Sequence, residues 1–363
     1  MNNLTIAEKK AENGSRLNFD EAMLLYNNSS ILDLAQWARA AKERHSKKDV
    51  YFNINHHINL SNTCTALCPL CAFSVKPGSK KGYLLSLKDI AASVKAAWHN
   101  DPHLTEIHVV SSLYPDINFE YYIQVLQTIK NILPQIHIQA FTPVEIAYFA
   151  KISSFSIRQV LQKLKAAGLS SLPGGGAEIL DDNIRKIICP EKASSAEWIN
   201  VVETAHSMGI PTNASILYGH IESKEHRLHH LFKLRDIQDK TNGFNAFISF
   251  PFYPLHTKLA LNYIIKPVTA WENLKFIAIS RLILDNIDHI KAFWIMLTKE
   301  IAQLSLVFGA DDLDGTVGKE KIIHAAGAKE SNMMTKDDLT HIIQQAGYVP
   351  VERDSLYNPV NKN

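Results

Sequence analysis

Cys64-Thr65-Ala66-Leu67-Cys68-Pro69-Leu70-Cys71-Ala72-Phe73 sets three thiols at the spacing C-x3-C-x2-C, directly after a strand-like apolar run over 51–60. Thiolates are soft ligands, and a close set of them points to zinc or iron–sulfur before it points to disulfides. Three cysteines on one loop fall one short of the four protein ligands of a structural zinc site. His56 and His57 lie near enough in sequence to supply a fourth, so a zinc knot stays open on spacing, as does a set of buried apolar fillers. The iron–sulfur reading uses all three thiols: they hold three irons of a four-iron cluster and leave the fourth open to a substrate.

The rest of the composition suits a cytosolic enzyme. Three of the four cysteines belong to the loop and Cys189 stands alone, so there is no disulfide framework and a reducing cytoplasm is the expected compartment. The first ten residues lack the apolar core of a signal peptide, and no apolar run approaches the ~20 residues of a membrane span. The 38 basic and 36 acidic residues leave a formal charge of +2, with no like-charge block to suggest nucleic acid or membrane as a partner. With 363 residues, 46% of them hydrophobic, the chain has ample material for one large α/β barrel with extensions.

Around the cysteines, strand and helix patterns alternate. Residues 18–48 predict two amphipathic helices, the first capped by Asn18 or Asp20, the second striped by Ile31, Leu34, Ala35 and Ala38. Strands are expected at 51–60, 106–112, 136–142, 170–173, 211–218, 245–252, 289–297 and 308–313. Helices are expected from the capping box Ser86-Leu87-Lys88-Asp89, and over 121–132, 157–167, 195–208, 224–240, 270–284 and 299–306. Such units argue a parallel sheet closed into a (β/α)8 barrel over 50–318, with helical extensions at 1–49 and 319–363. An open doubly wound sheet is disfavoured because no G-x-G-x-x-G follows the first strand.

Barrels place chemistry at the C-terminal ends of their strands, and polar or glycine-rich residues fall there: Ser111-Ser112, Thr142 to Glu145, Pro173 to Glu178, and Tyr218 to Glu222. Gly174-Gly175-Gly176 alone is only a flexible turn. Within Ser171-Leu172-Pro173-Gly174-Gly175-Gly176-Ala177-Glu178 it resembles a string of the radical S-adenosylmethionine (radical SAM) enzymes of the futalosine route to menaquinone and their deazaflavin-forming relatives. The cysteine spacing is similar to the same superfamily's signature. The strings Asn53 to Asn59, Phe119 to Tyr122, Ile188 to Lys192, Leu217 to Glu222, Phe308 to Thr316 and Val351 to Asp354 resemble the aminodeoxyfutalosine synthase family, over about 18–357. The sister family, cyclic dehypoxanthine futalosine synthase, is the runner-up.

The resemblance implies a [4Fe-4S] cluster on Cys64, Cys68 and Cys71, and S-adenosylmethionine as cosubstrate. It implies addition of the adenosyl radical to 3-[(1-carboxyvinyl)oxy]benzoate, with loss of a carboxylate. It further implies a reducing donor such as flavodoxin or ferredoxin, and leaves a homodimer open. Under it, Phe73, Ser111, Ser112, Glu145, Gly174, Gly175, Glu178 and Asn213 are the expected cosubstrate contacts, and His220, Glu145 and Tyr114 the expected catalytic side chains. Thr212 and Arg281 are further candidates for holding substrate carboxylates.

Five residues depart from the family: Leu70 replaces an aromatic residue, Ser111-Ser112 replaces Gly-Gly, and Tyr114 and Tyr253 replace histidines. The serine pair motivates a third reading, a relative that binds a ligand and catalyses nothing. Asp311, Asp312 and Asp314 are expected to cap a helix and close the barrel rather than hold a divalent metal, and Cys189 to be structural.

Overall fold

The structure is a computed structural model that describes residues 2–318, 321–327 and 333–360. Its strands are β1 (Asp49–Asn53), β2 (Asn55–Asn59), β3 (Glu106–Val110), β4 (His137–Ala140), β5 (Thr212–Tyr218), β6 (Phe244–Pro251), β7 (His289–Lys291), β8 (Asp312–Gly315) and β9 (Val349–Glu352). Every ladder is parallel, in two sheets ordered β5-β6-β7-β8-β1-β9 and β2-β3-β4. Single bridges Gln139↔Ser171 and Leu172↔Thr212 join β4 to β5, and His56↔Gly318 joins β2 to the residues after β8. The sheet thus closes into the barrel the alternation predicts, with helices outside.

Local signals give the helices their starts. Ser86 and Asp89 form the capping box of Leu87–Asn100, and Asn18, not Asp20, caps Phe19–Asn28 through a box with Glu21. A helix over Pro143–Ser153 was not expected. Thr142 is its N-cap, Pro143 takes the first turn where its missing N–H costs nothing, and Glu145 closes the box. Asn3–Asn13 and Asp182–Ile188 are also additional helices.

Four strand expectations change. The run over 51–60 bends at Ile54: below it β1 pairs with β8 and β9, above it β2 pairs with β3. The Ile54 carbonyl accepts from Thr105 N–H and from the Thr105 hydroxyl, both at 2.9 Å. The stretch 170–173 contributes only bridges. The apolar run over 289–297 is strand as far as Lys291 and helical over Trp294–Leu297, because a continuous apolar run reads alike for buried strand and buried helix. Residues 306–308 form a 3-10 turn, and β8 begins only at Asp312. In the tail, expected to be helical, Lys336–Gln345 is followed by β9, which pairs with β1 from Asp49↔Val349 to Phe52↔Glu352.

The three aspartates do not cap a helix. Asp311 takes Arg281 and His289, each at 2.8 Å; Asp312 takes Arg353 at 2.7 Å; Asp314 takes Lys291 at 2.8 Å. These buried pairs tie β7, β8 and the C-terminal tail together, and they commit Arg281 to the barrel wall rather than to a substrate.

Candidate active site

A cavity of about 360 Å³ opens at the C-terminal ends of the strands, and Cys64, Cys68 and Cys71 all line it. The cysteine loop is pinned along its length. Cys64 N–H donates to Val75 O at 3.0 Å, Thr65 N–H to Leu113 O at 2.9 Å, Cys71 N–H to Cys68 O at 2.9 Å, and Leu259 N–H to Pro69 O at 2.9 Å. Leu67 takes a left-handed conformation with φ of 41° to turn the chain between the first two thiols.

The thiols fit an iron–sulfur cluster better than a zinc ion. Among the described residues no three His, Cys, Asp or Glu side chains converge where one ion would sit. In a cluster each iron takes its own cysteine, so the thiols need only face a common space. Neither histidine completes a zinc knot: His56 Nε2 lies 3.0 Å from Ser93 Oγ, and His57 stacks on His108 at 4.5 Å on the cavity floor. Burial pushes the Cys68 thiol up to about 12, so iron must displace its proton on binding. Cys189 is buried behind the wall and is not among the lining residues.

Ser111 and Ser112 differ in their roles. The Ser112 hydroxyl donates to Thr63 O and fastens the cysteine loop to the end of β3. Ser111 lines the cavity, but its hydroxyl oxygen is buried and lies toward the Tyr122 hydroxyl, while its N–H donates to Glu145 Oε1 at 2.7 Å. Glu145 Oε2 accepts from Thr142 N–H at 2.8 Å and from the Thr142 hydroxyl at 2.7 Å. Burial raises the Glu145 carboxyl to about 7, and these donors to its charged form limit the rise. We expect Ser111→Gly to change S-adenosylmethionine affinity severalfold with little loss of stability. Ser112→Gly should cost about 1 kcal/mol through the lost loop bond. Equilibrium binding and urea unfolding of both variants separate the two effects.

The glycine loop forms the opposite wall through Pro173, Gly175 and Gly176, and Gly174 packs behind them against Asn213. Glu178 holds Lys192 at 2.6 Å; burial alone would raise its carboxyl, but Lys192 more than offsets that and keeps it low. Leu70, Ala72, Phe73, Phe250, Phe252, Tyr253, Phe293 and Met296 supply apolar surface, and the Tyr253 hydroxyl donates to Met296 O at 2.9 Å.

Of the residues singled out in the sequence, the three cysteines, Phe73, Ser111, Ser112, Glu145, Gly175, Glu178 and Asn213 line this one cavity. His220, Tyr114 and Gly174 do not. The His220 ring is folded into its own turn: Nδ1 accepts from Ile221 N–H at 2.8 Å, and Nε2 lies 3.1 Å from Leu217 O. Tyr114 contributes its carbonyl, which accepts from the Tyr148 hydroxyl at 2.8 Å. Thr212 is occupied by His206 at 2.9 Å.

The sequence reading missed a polar floor made of His57, His108, Gln139, Lys291 and Asp314, together with Lys192 on the wall. Adjacent strands bring the first three into register, His57↔His108 and His108↔Gln139. Burial, reinforced by His108, holds the His57 imidazole well below its usual range, and burial lowers His108 too, so both rings are neutral at pH 7. The alternation Asn55, His57, Asn59 was the available signal: polar residues every second position on a strand whose inward face lines a cavity.

Comparison with known proteins agrees with this geometry. A model of the radical SAM superfamily matches residues 58–234, and one of the CofH/MqnC C-terminal region matches residues 241–363. The chain is 40% identical over 358 residues to the aminodeoxyfutalosine synthase of Thermus thermophilus, covering 98% of this chain and 95% of that one. It is 39% identical over 310 residues to the 5-amino-6-(D-ribitylamino)uracil–L-tyrosine 4-hydroxyphenyl transferase of Archaeoglobus fulgidus, covering 85% and 88%. Among solved structures, methylornithine synthase superposes with a TM-score of 0.73 at 16% identity, covering 95% and 97%. The FeFe-hydrogenase maturase HydG from Carboxydothermus hydrogenoformans superposes with a TM-score of 0.75 at 16% identity, covering 98% and 80%. Those two speak to the fold. Three thiols on a barrel-mouth loop and near-full-length relatives together make the chain a member of the radical SAM superfamily, an enzyme that uses a [4Fe-4S] cluster and S-adenosylmethionine to form a carbon–carbon bond.

Proposed function

We propose that the chain is an aminodeoxyfutalosine synthase. It joins the 5′-deoxyadenosyl group of S-adenosylmethionine to 3-[(1-carboxyvinyl)oxy]benzoate, releasing the enol-ether carboxylate as bicarbonate. The observation that carries this reading is the 40% identity to the Thermus synthase across 98% of the chain, which spans the cysteine loop, the glycine loop and the polar floor alike. The bound cluster supplies the electron that cleaves the cosubstrate's sulfonium.

The chain's own residues bind, orient and keep the site dry. Glu145 and Glu178 accept from cosubstrate hydroxyl or amine groups, and the backbone of Gly175 and Gly176 lets a ligand approach closely. The apolar wall from Leu70 to Phe73 and from Phe250 to Tyr253 excludes water from a reactive species. Lys291 and the neutral imidazoles of the floor meet the polar end of the acceptor. We place the enzyme in the cytoplasm with flavodoxin or ferredoxin as its reductant.

The archaeal transferases, at up to 39% identity, favour a second reading in which a tyrosine-derived group is joined to a ribitylaminouracil. Offering the enolpyruvyl-oxybenzoate, dehypoxanthine futalosine, and tyrosine with the ribitylaminouracil in turn separates these activities. Product from the first alone supports the synthase; product from either of the others overturns it.

Glu145 gives the fold a pH signature. Its native carboxyl titrates near 7 against an ordinary value of ~4.3. Between those values the native state keeps a proton that the unfolded chain has released. This contribution to stability is therefore full below ~4.3 and lost as the pH rises through about 7, by up to about 3 kcal/mol. Urea unfolding at pH 5 and pH 8 should show Glu145→Gln with a flatter pH dependence than the parent chain.

A further inference from the structure

Besides the residues around Ile322 and Ala326, two segments border the cavity mouth. One carries the cysteines and continues to Tyr83; the other, here called the second loop, runs from Tyr253 through the short helix Leu259–Asn262 to Trp271 in the first turn of the helix Ala270–Ile283. They touch directly through Leu259 N–H on Pro69 O, one residue from Cys68. The second loop is unlike the rest of the surface. Leu255, Leu261, Tyr263, Ile264 and Trp271 are 56%, 84%, 41%, 99% and 63% exposed, so five large apolar side chains face solvent within seventeen residues. Scattered exposed apolar residues need no explanation, but five concentrated in one short stretch mark a candidate interaction surface.

Charge identifies the partner. Lys76, Lys80 and Lys81 on the first loop and Lys258 and Lys266 on the second are all exposed. Neither 60–88 nor 253–271 contains an aspartate or a glutamate, although the chain as a whole is nearly balanced. Exposed apolar side chains interspersed with lysines suit a partner of the opposite sign, with the lysines steering encounter and the aromatic and aliphatic side chains holding the complex. The patch lies beside the cysteine loop, where a bound cluster would have to be reduced by one electron before it could cleave the cosubstrate.

We propose that the Leu255–Trp271 loop, with Lys76, Lys80 and Lys81, is the docking surface for a small acidic one-electron carrier protein. This rests on the radical SAM assignment and not on the choice of acceptor substrate. The carrier is oxidised by one electron and the enzyme's cluster is reduced by one, with no atoms exchanged.

The test uses the reconstituted holoenzyme and a purified bacterial flavodoxin, in three measurements. The first is 5′-deoxyadenosine formation from S-adenosylmethionine with reduced flavodoxin. The second is the same reaction with dithionite, which needs no docking surface. The third is equilibrium binding of oxidised flavodoxin, followed by flavin fluorescence anisotropy at two salt concentrations. A Leu261→Ser, Ile264→Ser double variant and a Lys258→Glu, Lys266→Glu double variant should each lose at least tenfold in flavodoxin-driven rate and in flavodoxin affinity. Both should keep the dithionite-driven rate, and binding by the parent chain should weaken with salt. Parent-like flavodoxin rates in both variants overturn the proposal. So does a light-scattering mass that halves in the leucine–isoleucine variant while flavodoxin binding is unchanged, which makes the patch a contact between two copies of this chain. Binding of the parent to anionic vesicles but not to flavodoxin also overturns it. Because the readout is cosubstrate cleavage, failure of the synthase reading leaves this test intact.

Discussion

Replacing Cys68 by alanine is expected to abolish turnover, with a fall of about 10³-fold or more, equivalent to about 4 kcal/mol. The iron content should drop well below the roughly four atoms per chain of the reconstituted parent. The reason is geometric. Cys64, Cys68 and Cys71 line one cavity, and Cys189, the remaining thiol, is buried and does not line it. The fold should survive, because the loop is held by Val75, Leu113 and Pro69 carbonyls that do not involve the thiol. Iron analysis, visible absorption and 5′-deoxyadenosine formation on Cys64→Ala, Cys68→Ala and Cys71→Ala check this. Cys189→Ala is the control, expected to keep its iron. Full iron and activity in any of the first three would remove that residue from the ligand set.

Gly174→Ala is expected to be among the most damaging single-methyl changes in the chain. Gly174 has φ of 74°, and an added Cβ would lie 1.8 Å from the Asn213 carbonyl oxygen and 2.4 Å from its carbon. Those are backbone atoms at the start of β5 and cannot rotate away. The loop would have to leave the wall, breaking the bond from Ser215 Oγ to Gly174 O at 2.9 Å. A cost of about 3 kcal/mol or more follows from left-handed strain and overpacking together. Gly209 provides the comparison: its φ is 64°, but nothing lies within 4 Å of an added Cβ. Gly209→Ala should therefore cost only the backbone strain, about 1–2 kcal/mol. Urea unfolding of the two variants distinguishes close approach from simple turn flexibility. Equal losses would mean that the triple glycine is only a turn.

What the sequence made legible was local. The cysteine spacing, the box at Ser86 and Asp89, and the strand–helix alternation each depend on residues a few positions apart, and the structure contains all three. What it hid was either non-local or a matter of orientation. β9 reaches β1 across 300 residues of chain, and Arg353 finds Asp312 across 41 positions; no local pattern encodes either partner. The strand-end rule put His220 at the right end of the barrel, but it carries no information about which way a ring turns, and this ring turns back onto Leu217 and Ile221. The floor was missed for the opposite reason. Barrel interiors are ordinarily filled with branched apolar residues, so His57, His108 and Lys291 looked like ordinary polar positions of exposed strands, although register sets the two histidines side by side and all three line the cavity.

The account's central claim is that this cavity makes a carbon–carbon bond between the cosubstrate and an enol ether. The most direct measurement follows the carbon itself. The reconstituted enzyme is given S-adenosylmethionine labelled with ¹³C at C5′, a reductant, and 3-[(1-carboxyvinyl)oxy]benzoate labelled with ¹³C in its vinyl methylene; the products are read by ¹³C NMR and mass spectrometry. The account predicts one-bond coupling between the two labels in an adduct that has lost one carboxylate. C5′ label found solely in 5′-deoxyadenosine, with the benzoate recovered intact, would contradict it.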